Sequence, residues 1–126
     1  MRTLRFGSIW ILIGCLLVTV VVVASLVPVP QAMHSLDDKL LHLLTYLILA
    51  LWFGAIYQRK WFARLGLGLV ALGVLVECLQ FGTGYRSFEL TDMLADALGT
   101  VAGLFLAATP LGGALLLVER HLPRRG

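Results

Sequence analysis

Asp38, Lys39 and His42, then Glu77 and Gln80, then Arg86, Ser87, Asp92 and Asp96 are the types of residue that hold anions, move protons and ligate cations. Asp38, His42 and Tyr46 recur every four residues and share one helical face, with Lys39 beside them. Glu77 and Gln80 share a second face, and Asp92, Asp96, Gly99 and Gly103 form a third stripe. His42 could act as a general base, ligate a metal, or simply hydrogen-bond Asp38. A buried Glu77 needs a cation, a metal or a proton-transfer role to be tolerated, or a structural ion pair with Lys39 or Arg86. Arg86 follows a Gly-x-Gly turn and adjoins Ser87, which suits a guanidinium that holds phosphate or carboxylate beside free backbone N–H groups. A bidentate pair with Asp92 or Asp96 would occupy it equally well. Lys39 could neutralise the cluster or touch a lipid phosphate. Gln80 could orient a substrate or bond between helices. Asp38, His42, Glu77 and Asp96 together could bind a divalent cation through mixed oxygen and nitrogen ligands, but no spacing here is diagnostic of a metal.

These residues must be positioned by elements that are almost wholly apolar. The chain has 126 residues, enough for one domain, is 60% hydrophobic and has a mean hydropathy of +0.93. Only 13% of its residues are charged, against about a quarter in soluble domains. The long apolar runs predict an all-α bundle of four transmembrane helices, over roughly residues 6–27, 40–57, 65–81 and 88–118. The last run would extend roughly 46 Å against a hydrocarbon core of about 30 Å, so a break is expected near Pro110. Residues 115–125, rich in arginine, are expected along the inner membrane surface.

With four spans, one side carries Lys39 and Arg86 against six carboxylates. The other carries Arg2, Arg5, Arg59, Lys60, Arg64, Arg120, Arg124 and Arg125 against Glu119 alone, so the formal net charge is +3. The positive-inside rule then places both termini in the cytoplasm and the acidic cluster outward. Basic residues so distributed are orientation signals and anionic-lipid contacts, which excludes a nucleic-acid partner. The apolar run after Met1–Arg5 exceeds the roughly 7–15 residues of a signal-peptide core, so it is expected to stay as a span.

Local signals refine the elements. Pro28 and Pro30 end the first helix and open a loop holding His34 and Asp37, both expected to be solvated. Ser87 suits the N-cap of the fourth helix, with Glu89 in its first turn. Gly66, Gly68 and Gly73, like Gly99 and Gly103, suit close helix packing. Cys15 and Cys78 read as small packing residues rather than a disulfide.

The combined pattern resembles the VanZ-like family of small bacterial membrane proteins, named for a teicoplanin-resistance protein. It consists of Asp38-Lys39-Leu-Leu-His42, Glu77-Cys-Leu-Gln80, Arg86-Ser87-Phe-Glu-Leu-Thr-Asp92 and Ala95-Asp96-Ala-Leu-Gly99, within residues 36–104. Asp96 departs from it, since members often carry Asn there. The resemblance implies a four-helix, multi-pass protein of the bacterial cytoplasmic membrane with a polar, outward-facing pocket. It also implies work on envelope lipids or lipid-linked precursors, since relatives have been linked to enzymes acting on lipid head groups. On that reading Arg86, Lys39, Gln80, Ser87 and Asp38 bind the substrate. His42 or Glu77 moves a proton, and Asp92 and Asp96 orient the site or bind a cation. The alternative is a non-catalytic protein that sequesters a lipid or drug, or alters envelope organisation. A proton-coupled transporter ranks last, because the inner halves of the second and third segments lack polar residues. Homo-oligomerisation is left open.

Overall fold

The protein, seen in a computed structural model, is described over residues 1–28 and 35–123. Pro30, His34, Arg124 and Arg125 lie outside the described residues. Four long helices follow one another: α1 (Gly7–Leu26), α2 (Ser35–Ile56), α3 (Phe62–Gly82) and α4 (Leu90–Ala107), and a short α5 (Ala114–His121) ends the chain. All four long helices are apolar and long enough to cross a membrane. In lipid every backbone N–H and C=O must be bonded within the segment, so even the valine-rich Val18–Val23 run of α1 is helical.

Helix ends depart from the sequence expectation in ways that local chemistry explains. α2 starts earlier than residue 40, with Asp37 and Asp38 in its first turn against the positive end of the helix dipole. Asp37 is therefore exposed on a helix, not in a loop. A 3₁₀ turn, Arg59–Trp61, leads directly into α3, which also begins earlier than expected. α3 closes on Gly84, whose φ of +80° suits glycine. Ser87 does not cap α4: the N-cap residue is Glu89, and Ser87 is exposed. The expected break does occur, at a 3₁₀ turn over Pro110–Gly113 in which Thr109 Oγ1 accepts from the Leu111 N–H. Truncated there, α4 spans roughly 27 Å, close to the hydrocarbon thickness.

α2 and α4 form the most extensive helix pair. A Cβ at Gly99 would collide with the Leu43 carbonyl oxygen, and one at Gly103 with that of Leu47. Bare glycine thus lets the two backbones touch. Gly73 of α3 likewise leaves room for the Asp96 side chain, whereas Gly68 faces open space. Cys15 and Cys78 are free and exposed, so they are not the packing residues expected.

The Arg59 end is tied together by the termini. Arg2 donates to the carbonyls of Tyr57 (3.2 Å), Gly112 (2.7 Å) and Ala107 (3.2 Å), and Arg59 donates to Ala108. These cations thus satisfy carbonyls left over where α2 and α4 end, a structural task beyond orientation. α5 is packed against the bundle through one face. Leu115 packs with Ala55 and Ile56, and Glu119 is buried. Its carboxylate accepts from the backbone N–H groups of Arg5 (2.7 Å) and Phe6 (2.9 Å) and from Trp10 Nε1 (2.7 Å), which anchors the chain entering α1, whose N-cap is Phe6, to the last helix.

Two predictions follow from this packing. Gly99→Leu should cost about 3 kcal/mol or more, because the obstacle is backbone, while Gly68→Ala should change stability by less than about 1 kcal/mol; unfolding in mixed detergent micelles reads both. Burial raises the Glu119 carboxyl pKa, but three N–H donors outweigh it and hold the group below its ordinary 4.5. A depressed folded-state pKa gives stability that is present above the unfolded value and lost as the pH falls. Wild type should therefore unfold at a higher temperature than Glu119→Gln at pH 7, and the gap should close as the pH drops below about 4.5.

Candidate functional site at the polar end of the bundle

At the end opposite Arg59, the polar stripes of α2, α3 and α4 converge. Asp92 and Asp96 project from α4, and Glu77 from α3; each is 2% exposed or less. Burial at this depth is tolerable only with internal partners. His42 of α2 supplies them from between two carboxylates, with Nδ1 2.9 Å from Asp96 Oδ1 and Nε2 3.8 Å from Asp92 Oδ2. An ionised Asp96 can only accept, so it fixes the proton on Nδ1 and turns Nε2 toward Asp92. This arrangement depends on the close α2–α4 approach at Gly99, one turn below.

Cations from two elements close the cluster. Lys39 lies 2.8 Å from Glu89 and 3.3 Å from Asp92. Its ammonium and hydrogen bond hold the Glu89 carboxyl below the ordinary carboxylate range, against a smaller effect of burial. Arg86, in the turn before α4, pairs with Asp38 at 2.7 Å and approaches Asp92 at 3.9 Å. Lys39 and Arg86 thus offset part of the cluster's charge, the role the sequence allowed for Lys39, but the arginine's close partner is Asp38 rather than Asp92 or Asp96. Glu77 pairs with neither cation among the described residues. Its Oε1 accepts the backbone N–H of Glu89 at 2.7 Å, and its buried Oε2 has no partner. A carboxylate on α3 therefore serves the first backbone donor of α4, the task expected of Ser87.

The remaining candidates fall elsewhere. Gln80 is buried and donates through Nε2 to the Ser25 carbonyl of α1 at 2.9 Å, which is an interhelical bond. It also lines a cavity of about 190 Å³ with Asp38, His42, Tyr46 and Arg86. Ser87 makes no side-chain hydrogen bond among the described residues. Glu89 and Gly73 were not recognised from sequence as part of the site. The four-residue step from Gly73 to Glu77 on α3 was the available signal, because it places the glycine directly below the glutamate.

One atom each from Asp38, His42 and Asp92 lie within 4.8 Å of one another, a spacing that suits a divalent cation. Asp92 thus replaces Glu77 and Asp96 in the ligand set expected from sequence. Arg86 and Lys39 already engage these carboxylates, through Asp38 Oδ2 and Asp92 Oδ1, so an ion there would share them with two cations.

Neither a curated protein nor a solved structure matches this chain at a significant level. A family model does, over residues 31–113, which contain every ionisable residue described at the polar end. With its four membrane-length helices and this converging constellation, the chain belongs to the VanZ/LLP1 family of membrane proteins.

Proposed function

We propose that the protein acts on the phosphate-linked head group of an envelope lipid or lipid-linked precursor, at the outer face of the bacterial cytoplasmic membrane. The observation that carries this reading is His42 held between Asp92 and Asp96, beside Arg86, at a cavity of about 190 Å³. Orientation rests on the basic residues gathered at the opposite end, which the positive-inside rule assigns to the cytoplasm. A head group at the polar end would then sit at the depth of the outer-leaflet phosphates.

Charge decides what else the site requires. Among the described residues, Asp38, Glu77, Glu89, Asp92 and Asp96 gather with only Lys39 and Arg86 as permanent cations. An anionic phosphate therefore enters with further positive charge, from a protonated His42 or from a cation on Asp38, His42 and Asp92. As the phosphate arrives, Arg86 exchanges Asp38 for phosphate oxygens, which its guanidinium grips in a bidentate fashion.

In the hydrolytic version, water attacks phosphorus and the bond to the leaving oxygen breaks. His42 enters this step as the imidazolium and gives its Nε2 proton to that oxygen, and the proton of the attacking water passes to Asp92 or Glu77. An alcohol replaces water in the transferase version. Asp96 holds the Nδ1 proton, so the imidazolium loses its proton from Nε2. Altered envelope lipid is also the route by which such an activity would bear on teicoplanin resistance.

The test is head-group release or exchange by the purified protein in vesicles of bacterial lipid. His42→Asn should lower the rate about 10²- to 10⁴-fold. Asp96→Asn, whose amide oxygen still accepts from Nδ1, should lower it only about tenfold. If lipid composition and resistance survive simultaneous alanine substitution of His42, Glu77 and Arg86, the catalytic reading fails and a binding or scaffold role takes its place.

A further inference from the structure

Below the ion pairs, the cavity of about 190 Å³ separates the upper part of α1 from α2 and α3. α1 is the most loosely packed of the long helices, and only Gly7 and Gly14 in it are buried. Polar contacts fasten it at both ends. Glu119 holds its start, while Gln80 and the Tyr85 hydroxyl bond to the carbonyls of Ser25 and Leu26 at its finish. Beside this upper fastening the cavity is walled by Val20, Val21, Ala24 and Val76.

Two polar atoms of residues lining this apolar space are left over. The Tyr46 hydroxyl and Gln80 Oε1 have no hydrogen-bond partner among the described residues, although these residues are only 1% and 2% exposed. Leaving both unpaired is costly, and the cost falls once a partner arrives. Their chemistry is complementary: an amide oxygen can only accept, whereas a phenol can donate. They do not bond each other; a group that reached both would accept from the phenol and donate to the amide oxygen. A hydroxyl does both. Asp38, His42 and Arg86 border the same cavity, so an anion-binding cation faces the space that Tyr46 and Gln80 also line.

We infer that this cavity binds the free hydroxyl of a phospholipid whose phosphate is held by Arg86. The hydroxyl donates to Gln80 Oε1 and accepts from Tyr46, and the valine wall of α1 takes the adjoining carbon chain. This rests on the reading of the site as one for phosphate-linked heads, and it adds the feature by which one such lipid is told from another. Phosphatidylglycerol carries such a hydroxyl on its head, and lysophosphatidic acid carries one on its glycerol backbone. A hydroxyl-reading site rejects the analogue that lacks the group, because its own polar atoms are then buried unpaired.

The experiment measures binding of defined lipids to the full chain in phosphatidylcholine nanodiscs, by competition and by native mass spectrometry. One arm compares phosphatidylglycerol with phosphatidylmethanol, which has the same charge but no hydroxyl. The other compares lysophosphatidic acid with its 2-O-methyl ether. A preference of about tenfold or more for the hydroxyl form is expected in the arm that carries the natural chemistry. Tyr46→Phe, which removes only the unpartnered hydroxyl, should reduce that preference to about threefold or less. Equal affinity within both arms overturns the inference, because water alone would then satisfy the two atoms. A preference that persists undiminished in Tyr46→Phe overturns it too. Hydroxyl preference without head-group turnover would leave the inference standing and remove the catalytic reading. Turnover without hydroxyl preference would do the reverse.

Discussion

Carboxylates at membrane depth must find their partners inside the protein, and in this bundle the partners can meet only because two helix backbones touch. Gly99 rests on the Leu43 carbonyl and Gly103 on that of Leu47, where any Cβ would collide. At that separation the His42 imidazole reaches Asp96 directly, at 2.9 Å. Gly73 brings α3 in from the other side by leaving room for the Asp96 carboxylate. The glycine seam and the acid–base cluster are therefore one device. Widen the seam by a single side chain and His42 and Asp96 separate, leaving a buried charge without compensation.

The two ends of the bundle solve different problems with the same residue types. At the Arg59 end, Arg2 and Arg59 are spent on carbonyls around the helix ends and Glu119 on the N–H groups just before α1, and this fixes where α1 stands. At the opposite end the acids outnumber the cations, and Arg86 and Lys39 are shared among them. A structural network satisfies its members fully. Here, among the described residues, Glu77 Oε2, Gln80 Oε1 and the Tyr46 hydroxyl remain buried without partners, against Thr100 Oγ1 alone deeper in the bundle. That surplus of unmet valence is what supports a ligand-binding role for this end, and the weak burial of α1 gives an apolar chain somewhere to lie.

Much of this was legible in the sequence. Four apolar runs fixed the spans, the length of the last run demanded the break at Pro110, and stripes at helical spacing identified the faces that meet. The cost of exposing Glu77 or Asp96 to lipid was enough to require convergence. Pairing was not legible, because several cations and carboxylates were equivalent on spacing alone; only three-dimensional placement joins Arg86 to Asp38 and Lys39 to Glu89. Ser87 looked like a helix cap by residue type, and Glu77 took the task because a carboxylate from a neighbouring helix happened to reach the same N–H. Glu119 gave even less warning. A lone acid in a basic tail reads as a solvated residue until its partners, more than a hundred residues earlier, are seen beside it.

The central claim is that His42 and Asp96 act on each other within a closed bundle, and a double-mutant cycle addresses it most directly. Unfolding free energies would be measured in detergent for wild type, His42→Ala, Asp96→Ala and the double variant. A coupling of about 1–3 kcal/mol is the result expected of a buried, hydrogen-bonded pair. Single-variant effects that add to within about 0.3 kcal/mol would contradict the account, because side chains that do not meet have nothing to lose twice.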